Sequence, residues 1–288
     1  MTAVIIVNYQ HPLLTEQAVS SLRRCDDFSA MLVIVVDNGS SDGSLERLKR
    51  SCPDCNILDA GRNLGFSGGN NVGIRYALDH GASNILLLND DTEVEPGFLA
   101  PLLKAVEGGR IIAAPKIVYA DNPSRIWYGG GHVSRIRGGF YHESDAAKSS
   151  APRNVTFASG CCMMIPSDFF REHGLMDERF FLYYEDAELC LRAIGAGYEI
   201  RYVPSSVIRH KLGASTGGEH SRISAYYGTR NRLAVLSFYH FPPWAFAYVM
   251  ATRAIKLLLG RFGSEWRFVL IGMRDWLRLR MWENPELA

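Results

Sequence analysis

A succession of short apolar runs, alternating with stretches of helical spacing, constrains this chain more than any other feature. Residues 4–9, 32–36, 56–58, 85–88 and 111–114 read as strands, and residues 15–24, 44–51, 71–80 and 97–107 as helices between them. Runs this short and this uniformly apolar are buried on both faces. Their alternation with helices predicts an α/β fold: βα units and a mostly parallel central sheet flanked by helices. In such sheets ligands bind in the crevice at the carboxyl ends of the strands. The residues just past those ends are Asn8 and Tyr9, then Asp37 and Asn38, then Asn89, Asp90 and Asp91. One polar cluster is ordinary turn chemistry. Three in succession suggest a lined site.

The second half is less regular. Residues 120–155 read as loop or irregular β, and residues 161–165 as a short apolar stretch. Helices are expected at 167–173 and 185–196, with strand-like pieces at 199–203 and 207–209. Past His210 the pattern changes to a Gly/Ser loop and then to helical segments. The 288 residues suffice for a catalytic domain over 1–215 with a C-terminal helical segment over 216–288. The formal net charge of +1 argues against a nucleic-acid footprint. Cys25, Cys52, Cys55, Cys161, Cys162 and Cys190 read as reduced thiols. Cys52 and Cys55 have redox or zinc spacing, but no second such pair exists. Residues 3–8 lead directly into a strand with no basic stretch before them, so no secretion signal is read there. No apolar run reaches the roughly 18 residues of a spanning helix. A cytoplasmic protein is expected.

Four groups of residues carry chemistry. Asn89, Asp90, Asp91 and Thr92 close a buried strand, and carboxylates on one short turn converge on a hard divalent cation such as Mg²⁺ or Mn²⁺. A helix N-cap before Pro96 explains the same residues equally well. Residues 61–71 form a Gly-rich loop opening a helix, where glycines admit close approach of a ligand to backbone amides. They lack both the dinucleotide fingerprint and the Lys-Ser/Thr of a P-loop. Asp37 sits where an acid accepts hydrogen bonds from a base or ribose. Finally, residues 180–184 are aromatic or apolar and precede Glu185, Asp186 and Glu188. A carboxylate in such a surround holds a raised pKa and serves as a general base. The alternative is a helix start whose acids complement its dipole. His210, a lone histidine, is structural or a further metal ligand.

Taken together and in order, these residues resemble the family-2 glycosyltransferases of the GT-A fold. The likeness is strongest to the bacterial branch of rhamnosyltransferases and galactofuranosyltransferases, and it covers residues 3–232. The resemblance implies an inverting transfer from a nucleotide-diphosphate sugar to an acceptor hydroxyl. Asn8, Tyr9, Asp37, Asn63, Gly65, Phe66, Gly68, Asn70, Asn89 and Asp90 would line the donor. Arg230 would reach its diphosphate or a phosphate on the acceptor. Asp91 and His210 would hold the divalent metal, Asp186 would deprotonate the acceptor, and Gly160 and Glu185 would lie on the acceptor side. Asn89 departs from the pattern, since many members carry Asp there. Rhamnose from dTDP-rhamnose is the favoured donor sugar, with galactofuranose or glucose from UDP-sugars as alternatives.

Trp244, Trp266, Trp276 and Trp282 interleave with Arg253, Lys256, Arg261, Arg267, Arg274, Arg278 and Arg280. This suits the headgroup zone of an anionic membrane. A helical cap on the catalytic domain or on another subunit fits as well, so oligomeric state stays open. The acceptors of the resembled branch, often polyprenol-linked glycans at the inner membrane face, favour membrane contact. A nucleotidyltransferase would need a basic Gly-rich segment after strand one, where Asn8-Tyr9-Gln10-His11-Pro12 stands instead. A sugar-nucleotide-binding protein without catalysis remains a third class, distinguished by its indifference to Asp186→Asn.

Overall fold

The computed structural model describes residues 1–145, 150–211, 221–260 and 265–281. The boundary expected at 215/216, the loop after His210, Arg261 and Trp282 lie outside the described residues. The chain opens β1 (Thr2–Asn8), α1 (Pro12–Arg23), β2 (Met31–Asp37), α2 (Ser44–Ser51), β3 (Asn56–Asp59), α3 (Gly65–Asp79) and β4 (Asn84–Leu88). It continues through β5 (Thr92–Val94), α4 (Leu99–Val106), β6 (Ile111–Tyr119), β7 (Ile126–Tyr128), β8 (Gly131–Ser134), β9 (Gly139–His142) and β10 (Arg153–Val155). It ends with β11 (Cys162–Pro166), α5 (Ser167–His173), α6 (Glu185–Gly195), β12 (Glu199–His210), α7 (Arg222–Phe238), α8 (Pro243–Leu258) and α9 (Trp266–Leu277).

The main sheet runs β10-β12-β6-β11-β4-β1-β2-β3, with β5 on β12 and β7 on β6. β3, β2, β1 and β4 are mutually parallel, as the βα rhythm requires. β11 then enters antiparallel to both β4 and β6, while β12 runs parallel to β6. Two antiparallel steps restore direction, so β1, β2, β4, β6 and β12 all point their carboxyl ends at one edge. That edge carries Asn8, Asp37, Asn89 and His210.

The core is built by the uniform apolar runs. Residues 3–6 of β1 and 85–87 of β4 are wholly buried. The strand pieces expected at 199–203 and 207–209 are one strand with an irregularity between Val203 and Val207. The described residues of 120–155 hold four short strands. The helix expected from residue 71 begins instead at Gly65. Glycine has poor helix propensity, so the sequence pattern hides the first two turns. Burial against β1 and β2 overrides that propensity.

The glycines of α3 are there for this contact. A Cβ on Gly73 would stand 2.6 Å from Ile5 Cγ2, and one on Gly69 would stand 2.8 Å from Val7 Cγ1. Gly73→Ala therefore gains about 1 kcal/mol of helix propensity but overpacks a β-branched side chain in a fixed strand, at about 1–3 kcal/mol. The clash wins, and a lower midpoint in urea denaturation is the expected result; an unchanged or higher midpoint would refute this packing argument.

Candidate active site

The parallel register sets Asn8 beside Asp37. Asn8 Nδ2 donates to Asp37 Oδ2 at 2.8 Å and to Ser40 Oγ at 3.1 Å, while Asn8 Oδ1 accepts from Thr15 Oγ1 at 3.0 Å. Asp37 Oδ1 accepts from the Ser40 amide at 2.9 Å. Both side chains are buried, so they tie the strand ends together at the floor of the crevice. Tyr9 is exposed beside them.

Asn38 links this floor to the Gly-rich segment. Its Oδ1 accepts from the Leu64 amide, and its Nδ2 donates to Asn63 Oδ1 and to the Gly65 carbonyl. Asn63 Oδ1 also accepts from the Gly65 amide at 2.9 Å. Gly65 has φ +70°, and a Cβ there would lie 2.2 Å from the Phe181 carbonyl oxygen. Gly68 faces Leu64, and Asn70 Nδ2 donates to the Phe66 carbonyl at 2.9 Å. At Gly65, Gly68 and Gly69 the missing Cβ is used for packing within the protein. The close approach they permit is of the protein to itself.

The acids at the start of α6 follow a strained corner. Tyr183 and Tyr184 have φ of 68° and 72°, and left-handed backbone costs an L-residue about 1–2 kcal/mol. The corner turns Asp186 toward Gly160, whose amide donates to Asp186 Oδ2 at 3.0 Å, while the Ala187 amide donates to Oδ1 at 2.8 Å. A Cβ on Gly160 would stand 3.3 Å from Asp186 Cβ and 3.5 Å from Phe66 Cε1. Phe66, Gly160 and Asp186 therefore meet at one point. Burial pushes the Asp186 carboxyl up to about 6, against the pull of the Gly160 and Ala187 amides. Glu185 is buried with Oε2 lacking a hydrogen-bond partner. Burial first, and then the charge on Asp186, push its carboxyl well above the usual range. The Glu185 carboxyl is raised further than that of Asp186.

The second acidic position lies across residues 160–161. The Asn89 amide donates to the Cys161 carbonyl at 2.9 Å, continuing the β4–β11 pairing. His210 stands opposite Thr92 in the β12–β5 ladder, and its Nε2 lies 3.2 Å from Asp91 Oδ1. Burial disfavours the imidazolium, but neighbouring Cys161 and Asp91 outweigh it and hold the pKa at about 10. Burial and the charge of Asp91 raise Asp90 to about 8. Trp127 packs edge-on against His210 at 4.6 Å and against His142 at 4.5 Å.

Among the described residues no three His, Cys, Asp or Glu side chains converge as a ready-made cation cage. Asp91 and His210 are in contact, however, and two buried atoms of this group, Asn89 Oδ1 and His210 Nδ1, lack hydrogen-bond partners. A carboxylate, an amide oxygen and an imidazole suit Mn²⁺ or Mg²⁺ bound mainly through phosphate and water. The residues fit.

Arg230 is the exception among the expected site residues. It is wholly buried, stacked over Tyr226 and Tyr227, and its Nη2 donates to the Arg179 carbonyl at 3.0 Å. A guanidinium so enclosed does not reach a phosphate, and the expectation of donor contact is corrected. Asn231, its neighbour in a pair that also resembles a signature of the family, had no role readable from the sequence; its Nδ2 donates to the Leu182 and Tyr183 carbonyls. Sequence reasoning missed Trp127 and His142, in a segment without periodicity; only their aromatic character marked them.

The model of the family described as glycosyl transferase family 2 matches residues 3–174. The chain is 31% identical over 204 residues to the low-salt glycan biosynthesis hexosyltransferase Agl10 of Haloferax volcanii, covering 66% of this chain and 61% of that one. It is 27% identical over 220 residues to the dTDP-rhamnosyl transferase RfbF of Shigella flexneri, covering 73% and 72%. The crystal structure of GalNAc-T7 with UDP, GalNAc and Mn²⁺ superposes with a TM-score of 0.63 at 16% identity, covering 89% of this chain and 57% of that one. The chain thus spans about three fifths of the length of Agl10 and of GalNAc-T7. The last of these likenesses shows the fold, a GT-A sheet. With the family match extending over more than half of its residues, the chain belongs to glycosyl transferase family 2.

Proposed function

We propose that the chain transfers a sugar, with inversion, from a nucleoside-diphosphate donor to an acceptor hydroxyl, and that the sugar is rhamnose carried by dTDP. The observation that carries this reading is the single dipeptide Gly160-Cys161 joining the two acidic positions. Its first amide binds Asp186, and its last carbonyl binds the strand end that leads to Asp91. The rhamnosyl donor of RfbF, and the favoured sugar of the resembled branch, support the choice of dTDP-rhamnose.

The donor would lie between the strand ends and the start of α3, along Tyr9, Phe66 and Asn89. With a pKa of about 6, Asp186 is ionised at neutral pH and more basic than an ordinary aspartate. It takes the acceptor proton as the new C–O bond forms, opposite the departing diphosphate. Protonated Glu185 beside it offers the acceptor a hydrogen-bond donor without a second charge. Asp91, His210 and the Asn89 amide would hold a divalent cation, which when bound neutralises charge on the leaving diphosphate.

For the acceptor we propose a glycan or a lipid-linked precursor at an anionic membrane surface. No described helix is long and apolar enough to cross a membrane. On α8 the exposed residues Trp244, Tyr248, Ala251, Ile255 and Leu258 recur at helical spacing as one stripe. Lys256, Arg267, Arg278 and Arg280 are exposed nearby, and no acid is exposed among the described residues from 243 to 281. Two copies of this face would oppose like charges, whereas acidic headgroups complement it.

Four outcomes are expected. Asp186→Asn should lower turnover by roughly 10²–10⁴-fold yet still be stabilised in thermal unfolding by dTDP-rhamnose. Wild-type turnover should fall about tenfold per pH unit below 6, as Asp186 gains its proton. Full activity in Asp186→Asn would end the assignment. Because His210 is protonated below about pH 10 and a ligating imidazole is neutral, Mn²⁺ binding with dTDP at pH 7 should release protons. Calorimetry in buffers of different ionisation enthalpy reads this; buffer-independent heats would exclude His210 as a ligand. The chain should co-sediment with phosphatidylglycerol vesicles at low salt and be released by high salt. Leu258→Asp should weaken this about tenfold, and failure to bind such vesicles at low salt would remove the membrane reading.

A further inference from the structure

The segment that delivers Asp186 is held by an uninterrupted series of bonds to its backbone carbonyls. Arg179 accepts from Arg230 Nη2 at 3.0 Å, Phe180 from Ser67 Oγ at 2.7 Å, and Phe181 from the Phe66 amide at 2.7 Å. Leu182 and Tyr183 accept from Asn231 Nδ2 at 2.9 and 2.8 Å, and Tyr184 from the Glu188 amide at 2.9 Å. The start of α3 therefore grips Phe180 and Phe181, α7 grips Arg179, Leu182 and Tyr183, and Tyr184 closes onto the first turn of α6. Of the two left-handed residues, Tyr183 is bonded directly by α7, and Tyr184 follows it into α6.

Asn231 can make this contact only if its amide is turned the right way. Arg230 Nε donates to Asn231 Oδ1 at 2.7 Å, which directs Nδ2 at the two carbonyls. The guanidinium itself is fixed between the Arg179 carbonyl and the rings of Tyr226 and Tyr227, 5.3 and 4.9 Å from its carbon. Both side chains are wholly buried. A planar fork with several donors performs this double task, and a lysine ammonium does not.

We infer that Arg230 and Asn231 are positioning residues for the acceptor side of the site: they clamp the strained Tyr183–Tyr184 corner so that Asp186 stands against Gly160. Neither touches a reacting group. The inference rests on the reading of Asp186 as the base. Strain stored in a corner persists only while the surroundings enforce it. Without Asn231, the left-handed residues relax and the first turn of α6 moves, loosening the Gly160 contact.

The test compares Asn231→Ala, Asp186→Asn and wild type by nucleoside-diphosphate release, using the donor that the wild-type chain turns over in a panel of dTDP- and UDP-sugars. Asn231→Ala should lower kcat 10- to 100-fold with the donor KM within twofold of wild type, and should displace the acid limb of the pH profile. Tyr183→Gly added to it should recover at least a third of the lost kcat, because glycine adopts the left-handed conformation without strain. A purely structural role would not be rescued in this way. Arg230→Lys should reproduce the kcat loss, and it decides the matter should Asn231→Ala fail to unfold cooperatively. Wild-type kcat and an unmoved acid limb in the folded variant would overturn the inference while Asp186→Asn stays inactive. Activity in Asp186→Asn would instead show that the underlying reading had failed.

Discussion

The pairing of β11 against β4 is the constraint on which the site depends. Four parallel strands would give an ordinary nucleotide-binding crevice, lined by Asn8, Asp37 and Asn89. Antiparallel β11 adds a chain arriving from the opposite side, and the residues before it, Gly160 and Cys161, enter at the carboxyl edge. The Asn89 amide bonds to the Cys161 carbonyl, and the preceding amide is free to bind a carboxylate from α6. One backbone thus fixes two acidic positions that lie 95 residues apart between Asp91 and Asp186. A parallel strand in the same place would have presented its far end to this edge.

Burial then separates the roles of the carboxyls. Glu185 and Asp186 are neighbours in sequence, but only Asp186 also receives the amides of other residues, Gly160 and Ala187. Desolvation acts on both, and these hydrogen bonds to the charged form offset it further for Asp186. The Glu185 carboxyl is therefore raised further than that of its neighbour. At the other end of the site, burial and the neighbouring Asp91 raise the Asp90 carboxyl, and the His210 ring lies against Asp91. In each pair, a distant element supplies one carboxyl with its partner.

The same logic explains why the glycines read differently in space than in sequence. A Gly-rich loop before a helix suggests close approach of a ligand, and the inference is sound wherever the loop faces solvent. Here Gly65 faces the Phe181 carbonyl, Gly69 faces Val7 and Gly73 faces Ile5. What they permit is the seating of α3 on the sheet and its junction with the 179–184 segment. That junction couples the strand-end side of the candidate site to the α6 side through protein.

The sequence by itself determined the βα rhythm, the uniformly apolar strands and the polar residues at their ends, because burial and periodicity are local properties of a strand or helix. It also marked Asp91, Asp186 and His210, since acids and a lone imidazole beside apolar runs carry a desolvation cost visible in one dimension. Arg230 was legible as unusual but not in its role: residue type says nothing about whether a guanidinium ends in a crevice or over two tyrosine rings. Asn231 stood out only as the neighbour of Arg230, with no role attached, and Trp127 left no signal, for a tryptophan in an aperiodic segment is unremarkable until packed. Only the tertiary structure decided that β11 runs antiparallel, that α3 begins at Gly65 and that Tyr183 and Tyr184 are left-handed. Each of these is fixed by contacts between residues far apart in the chain, and no local propensity favours any of them.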